Sequence, residues 1–211
     1  MTVSGFTFNA FSENTYLLHD GTGQCAVVDP GCYSRQEQNA LQEFIKTHGL
    51  QVVLLLNTHC HIDHVLGNQF IIDTYQVPFL IHEADLGTLR AVPTYAAPYG
   101  FPQYTPAEPT GFLTPDAPVR FGDTELAVRF TPGHAPGHVI FYHEPTKVVI
   151  GGDVLFRQSI GRTDLPGGDH ATLIRSIRTQ LLTLPDDVTV YPGHGTATTI
   201  GAERISNPFL R

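Results

Sequence analysis

The sequence has few cysteines, few basic residues and no long apolar run. Its three cysteines, Cys25, Cys32 and Cys60, are odd in number and match no disulfide framework, which favours reduced thiols. Only 12 Lys and Arg stand against 20 Asp and Glu, and the formal net charge of -8 argues against nucleic acid and anionic membranes as partners. No segment approaches the roughly 18 apolar residues that span a bilayer, and no secretion signal is recognisable. We therefore expect a soluble cytoplasmic protein.

The 211 residues suit one compact domain in which strands and helices alternate. Ser34 followed by Glu37 forms a capping box and predicts a helix that Gly49 stops. A continuous aliphatic run over 52–56 predicts a strand buried on both faces. Further strands are predicted at 3–8, 15–19, 24–28, 79–81, 119–121, 125–131, 138–143, 147–151 and 188–191, and further helices at 65–75, 83–90 and after Asp169. This alternation predicts an α/β architecture with helices outside the sheets.

Four potential metal ligands lie within six consecutive residues directly after the strand at 52–56. In an extended segment His59 and His61 point the same way, and a turn brings Asp63 and His64 to a neighbouring position. Imidazole and carboxylate without thiolate suit Zn, Fe or Mn at a catalytic site. Cys60 alternates away from the metals, so we expect it to pack in the core.

Three further candidates follow predicted strands in the same way, namely His134, Asp153 and His194. A glycine precedes each of them and permits the backbone angles and close approach that a crowded site needs. Side chains that follow strands in α/β proteins are well placed to form a common site. The seven residues together predict a catalytic metal centre.

Asp29 ends another predicted strand and is interpreted as the acceptor of the second ring N–H of a ligand histidine rather than as a ligand. The alternative is an ordinary aspartate at a strand-to-turn junction. For His82 and His138, buried hydrogen bonding is favoured over ligation.

The ordered set of seven residues resembles the signature of metallo-β-lactamase-fold hydrolases, over about residues 24–195. The resemblance implies a four-layered αβ/βα sandwich with the metals at one edge, and one domain over 1–211. It also implies two divalent metal ions, with zinc favoured over iron or manganese. It assigns the first metal to His59, His61 and His134, and the second to Asp63, His64 and His194, with Asp153 bridging.

Two such metals, about 3.5 to 4 Å apart, can share a water and lower its pKa toward roughly 7, so a bridging hydroxide is the expected nucleophile. Asp63 would orient this hydroxide or carry a proton to the leaving group. Within the fold the chain resembles glyoxalase II and its single-domain bacterial relatives, in the segments 58–64, 131–138 and 192–195. This implies hydrolysis of a small-molecule thioester such as S-lactoylglutathione, and leaves the oligomeric state open.

Two departures from glyoxalase II concern the glutathione handle. That family holds glutathione with basic residues of a C-terminal helical region, and we expect no separate C-terminal helical domain here. Arg162 replaces the family's lysine, and Asp164 replaces a tyrosine. Arg162 is predicted to bind a substrate carboxylate bidentately, or else to pair with Asp164.

The segment 91–118 is rich in proline, glycine and tyrosine and is predicted to be irregular. Its four aromatic residues either line and cover the pocket or anchor the segment to the core. They are Tyr95, Tyr99, Phe101 and Tyr104.

Several other functions compete with thioester hydrolysis. Persulfide dioxygenases, which use one iron, are also similar and share a Gly-Arg-Thr-Asp run with residues 161–164. Lactones and β-lactams would react with the same nucleophile. Phosphodiester cleavage is disfavoured by the acidic charge and the lack of a basic, aromatic patch. Metal binding without catalysis is disfavoured because the ligand set is intact.

Overall fold

Two six-stranded sheets form the centre of the protein in the computed structural model, which describes residues 1–115 and 117–211. Asp116, in the segment predicted to be irregular, lies outside the described residues. The first sheet contains, in spatial order, β1 (Thr2–Phe8), β2 (Glu13–His19), β3 (Gln24–Val28), β4 (Gln51–Leu56), β5 (Phe79–His82) and β6 (Gly111–Leu113). The first three strands are antiparallel, and β3 to β6 run parallel. Its helices are α1 (Arg35–Thr47), α2 (Ile62–Val65), α3 (Asn68–Tyr75) and α4 (Leu86–Tyr95).

The second sheet has the order β14-β13-β10-β9-β8-β7. Its strands are β7 (Val119–Phe121), β8 (Thr124–Phe130), β9 (Val139–His143), β10 (Val148–Gly152), β13 (Thr189–Pro192) and β14 (Thr198–Thr199). The pair β10 and β13 is parallel and the other pairs are antiparallel. A separate hairpin is formed by β11 (Leu155–Phe156) and β12 (Ser159–Ile160), and the helices are α5 (His170–Ser176), continued by a π-helical turn (Ile177–Leu181), and α6 (Ile200–Ser206).

Three apolar layers hold these elements together. The inner layer lies between the sheets, where Leu18 and Val28 of the first sheet share a cluster with Phe141 of the second. The outer layers pack helices on the sheets, through residues such as Leu41 of α1 and Leu173 of α5. The order helix, sheet, sheet, helix confirms the predicted four-layered αβ/βα sandwich.

Local signals explain where α1 begins and ends. The Ser34 amide donates to Glu37 Oε2 at 2.8 Å, and Ser34 Oγ accepts from the Glu37 amide at 3.3 Å. The helix ends at Thr47, and Gly49 then adopts a φ of 62°, which a glycine reaches without strain. The predicted helix is confirmed.

One prediction needs correction, and three elements were not predicted. The segment 91–118 is not wholly irregular, because α4 continues through Pro93 to Tyr95 and β6 follows later. Burial of Leu89 and Val92 holds this helix although Pro93 lacks the N–H of a regular turn. The hairpin of β11 and β12 and the helix α6, which Thr199 caps, were not predicted.

Side-chain hydrogen bonds from Asp20 and Gln24 join the two halves near the β2–β3 turn. Asp20 Oδ2 accepts hydrogen bonds from the Asp123 amide and from Thr124 Oγ1, both at 2.8 Å. Gln24 Oε1 accepts from the Gly122 amide at 2.9 Å. The β7–β8 turn is thereby tied to the β2–β3 turn. In the described part of the chain, no helix has the length and apolarity needed to cross a membrane.

Candidate metal centre

All seven predicted ligand residues come together in the segments that follow strands β4, β8, β10 and β13, with Asp63 and His64 on the short helix α2. Two groups of three predicted ligands have their ligand atoms within 4.8 Å of one another: His59, His61 and His134, and Asp63, His64 and His194. A third such group joins Asp29 to His59 and His64. Asp153 lies between the groups. Its Oδ2 is 3.6 Å from His134 Nε2 and 3.5 Å from His194 Nε2, and its Oδ1 is 3.5 Å from His64 Nε2.

Asp29 fixes the orientation of two of these imidazoles. Thr58 Oγ1 donates its proton to Asp29 Oδ2 at 2.6 Å. The Thr58 oxygen can therefore accept the Nδ1–H of His59 at 3.1 Å. His64 Nδ1 lies 3.2 Å from Asp29 Oδ2. The Nε2 atoms of both rings are buried without a hydrogen-bond partner and face the site.

Backbone carbonyls fix two further imidazoles in the same tautomer. His134 Nδ1 lies 2.8 Å from the carbonyl oxygen of Arg162, and His194 Nδ1 lies 3.2 Å from that of Phe11. A carbonyl only accepts, so each Nδ1 carries the proton and each Nε2 faces another candidate ligand, with His134 Nε2 2.8 Å from His61 Nδ1 and His194 Nε2 3.0 Å from Asp63 Oδ2. Four of the predicted ligands are thus oriented by a partner outside the cluster.

Buried polar atoms without a partner show that the residues fit a pair of cations. His59 Nε2, His64 Nε2 and Asp153 Oδ1 are buried and make no hydrogen bond. Leaving such atoms unpaired costs about 1–3 kcal/mol each, and more for a charged group. A divalent cation in each group would satisfy them, and the nitrogen and oxygen donors suit zinc, iron or manganese.

The protonation states of His59, His61 and Asp153 favour ligation. Burial, together with the neighbouring imidazoles, lowers the pKa of His59 and brings the pKa of His61 to about 3. Both rings are therefore neutral, which is the form that binds metal. Burial alone would raise the pKa of Asp153, but the adjacent His64 outweighs it, and the pKa falls below its usual value. The bridging candidate is therefore a carboxylate.

Two glycines are required where the loops crowd together. Gly152, directly before Asp153, has a φ of 48°, in the left-handed region that favours glycine. Gly193, directly before His194, packs so closely that a Cβ there would collide with the Asp153 carboxylate and the His64 ring. The backbone therefore reaches this geometry only with small residues beside the ligands.

Asp85 holds two ligand loops together, and sequence analysis did not identify it. Its Oδ2 accepts from the amide of Cys60, between His59 and His61, at 2.5 Å, and its Oδ1 accepts from the Gly137 amide at 3.0 Å. The side chain is fully buried. No local signal marks it, because its partners are 25 and 52 residues away.

His138 and Glu13 are two more buried polar residues around the cluster. His138 Nε2 accepts from the Asp153 amide at 3.0 Å, and its Nδ1 faces Thr131 Oγ1 at 3.0 Å, so it hydrogen-bonds as expected. Glu13 Oε1 lies 3.9 Å from His64 Nδ1, and burial raises the pKa of this carboxyl. No sequence signal distinguished Glu13.

A cleft of about 810 Å³ opens onto the cluster, and His61, Asp63, His134, Asp153 and His194 line it. Arg162 also lines the cleft, but its guanidinium donates to Asp164 through Nε and Nη2, both at 2.7 Å. Of the aromatic residues predicted around the pocket, Tyr95 and Tyr99 line the cleft, whereas Phe101 is buried and Tyr104 packs against the core.

Cys60 is buried in that core as expected, and the pKa of its thiol is raised.

Known proteins share this architecture. Hydroxyacylglutathione hydrolase GloC of Haemophilus influenzae is 36% identical over 212 residues, which cover 100% of this chain and 98% of that protein. The crystal structure of the BLEG-1 B3 metallo-beta-lactamase has a TM-score of 0.90 and 36% identity, and covers 99% of both chains. The structure of TTHA1623 in a di-iron-bound form has a TM-score of 0.88 and 37% identity, and covers 99% of this chain and 100% of that one.

The family model of the metallo-beta-lactamase superfamily matches residues 9–194. This range includes every residue of the two ligand groups and the aspartate between them. The full-length match to GloC and the shared sandwich agree with that assignment. The chain therefore belongs to the metallo-beta-lactamase superfamily.

Proposed function

We propose that this protein is a dinuclear metal-dependent hydrolase that cleaves a thioester bond, in the manner of a hydroxyacylglutathione hydrolase. Its family supports metal-dependent hydrolysis, and the name of the relative GloC supports the thioester. The observation that carries the proposal is the position of Asp153 between two groups of histidine and aspartate side chains that line one cleft.

The roles of the residues follow from their grouping. One cation would be held by His59, His61 and His134, and the other by Asp63, His64 and His194. Asp153 would contribute to both sites. Two divalent cations, zinc in the first instance, would lower the pKa of a water and polarise the substrate carbonyl.

Asp63 is the residue proposed to move a proton. Burial would raise its pKa, but His64 and His194 outweigh this effect and lower it, so the group is a carboxylate. Its Oδ2 lies 3.0 Å from His194 Nε2, and the side chain lines the cleft. From there it can accept a proton from the attacking water and return it to the thiolate released when the carbon–sulfur bond breaks.

The test combines metal content and turnover on one purified sample. S-lactoylglutathione hydrolysis is followed for the wild type, for Asp153→Ala and for Asp187→Ala. Asp187 is an exposed carboxylate that pairs with Lys147 on the surface and serves as the matched control. We expect about two metals per chain in the wild type. The Asp153→Ala variant should lose metal and roughly 10²-fold or more in turnover.

Other results would replace this proposal. One iron per chain, no thioester turnover, and sulfite formation from glutathione persulfide and oxygen would establish a persulfide dioxygenase instead. Hydrolysis of a lactone or β-lactam with the thioester left intact would retain the hydrolase but change its substrate.

A further inference from the structure

The cleft above the metal ligands has largely apolar walls. Its apolar lining includes a cluster of aromatic rings, Phe11, Tyr95 and Tyr99, together with Phe156, Ile160 and Leu165. Phe11 and Tyr99 are 42% and 54% exposed, so large apolar surfaces face solvent at the mouth. Exposed apolar surface that continues into a concave site is typical of ligand binding.

Contacts with the core and with a proposed metal ligand hold the aromatic residues of the cleft in place. Tyr99 meets Tyr95 edge to face with 5.5 Å between ring centroids, and Phe11 lies 5.8 Å from the buried ring of Phe101. The carbonyl of Phe11 also accepts the Nδ1–H of His194 at 3.2 Å. The rings are thus attached both to the core and to a proposed metal ligand, which preorganises this wall.

The cleft offers little to an anionic handle. Among its described lining residues the only Arg or Lys is Arg162, and Asp164 already neutralises it through two hydrogen bonds of 2.7 Å. The chain as a whole carries a net charge of -8. Glutathione carries two carboxylates, so binding it here would require breaking the Arg162–Asp164 pair or leaving the carboxylates unpaired.

We propose that this cleft selects thioesters whose acyl or thiol portion is an uncharged alkyl or aryl group. The inference rests on the proposed thioesterase function and names its substrate class. Apolar walls recognise such a group by removing it from water, and each buried methylene increases binding about fourfold. The Arg162–Asp164 pair then remains intact when substrate binds.

The first part of the test is a series of thioesters on purified, metal-loaded protein. One series lengthens the acyl group from acetyl through butanoyl to octanoyl on the neutral thiol N-acetylcysteamine. A second keeps a lactoyl group and lengthens an alkyl thiol in the same way. We expect kcat/KM to rise about fourfold per methylene in at least one series until the cleft is filled, and to exceed the value for S-lactoylglutathione.

Variants locate the effect. Tyr99→Ala should lower kcat/KM for the longest active substrate about five- to tenfold, and change the shortest less than about twofold. Phe112→Ala removes an equally exposed aromatic ring on β6, outside the cleft, and should leave the chain-length dependence unchanged.

A binding measurement separates this inference from the proposed function. Calorimetry with ketones in which a methylene replaces the thioester sulfur reports occupancy without turnover. If no thioester is hydrolysed but the long-chain ketone binds wild type more tightly than Tyr99→Ala, the thioesterase proposal fails and the apolar cleft stands. If S-lactoylglutathione is the best substrate and neither series rises with length, the thioesterase proposal stands and the apolar cleft is wrong.

Discussion

The two halves of the molecule supply the proposed metal ligands in different ways. The first half, which carries β1 to β6, provides His59, His61, Asp63 and His64 from one short segment after β4. The second half, which carries β7 to β14, provides His134, Asp153 and His194 from three separate loops. The four residues of the first half follow a single strand, whereas the three of the second half follow three different strands of its sheet.

The difference extends to the residues that orient the ligands. In the first half, Asp29 orients His59 through the hydroxyl group of Thr58, and its carboxylate also lies beside the His64 ring. In the second half, His134 and His194 are oriented by backbone carbonyls, and Asp153 is positioned through its amide by His138. The Asp29 side chain therefore acts on histidines of the first half, whereas the histidines of the second half depend on backbone carbonyls, one of which belongs to Phe11 of the first half.

The largest effect should follow from Asp85→Asn, because Asp85 belongs to the first half and holds Gly137 of the second. An amide can accept from only one of the two backbone N–H groups that now bind separate oxygens. We expect a loss of about 2–3 kcal/mol in the free energy of unfolding, measured in urea. Glu83→Gln, which changes an exposed carboxyl in the same turn, is the control. Unchanged stability would show that Asp85 does not join the halves.

Asp29→Asn should weaken metal binding by about 10- to 100-fold, since one side chain orients histidines of both groups. Its φ of 49° is in the left-handed region, which asparagine tolerates as aspartate does, so the backbone should be preserved. Competition with a chelator measures the affinity. Equal affinity in the variant would mean that His59 and His64 are oriented by the fold alone.

A smaller effect, about tenfold in metal affinity, is expected for His138→Leu, which acts on Asp153 only through its amide. His138→Gln can restore an acceptor and should recover part of the loss. If both variants behave alike in the same chelator competition, the size of the ring rather than its Nε2 acceptor matters.

The smallest effect should come from Asp20, which links the two halves far from the ligands. Hydrogen bonds from Thr22, Thr124 and Asp123 outweigh its slight burial and lower its pKa to about 2. Because the folded pKa is depressed, the stabilisation is present above the unfolded pKa of about 3.9 and is lost as pH falls toward 2. Asp20→Asn should cost less than about 1 kcal/mol at neutral pH, and the difference should vanish near pH 2 in denaturation curves. A constant difference across this range would contradict the role of the charge.

The sequence allowed prediction of the sandwich and of every proposed ligand, because strand ends, glycines and donor side chains coincide at each position. Asp85 was not predictable, since its importance depends on contacts with Cys60 and Gly137, distant in sequence. The continuation of α4 through Pro93 likewise depends on burial rather than on local propensity. The charge of Arg162 was recognised, but its pairing with Asp164 was only one of two alternatives.

The positions of the cysteines allow opening of the first half to be measured by chemical labelling. Cys25, Cys32 and Cys60 are fully buried there, and burial raises the pKa of Cys25 to about 12. A thiol reagent can therefore modify these residues only during transient opening of the first sheet and its helices. The rate of labelling would report how often the first half opens. The second half has no cysteine and would not contribute to this rate.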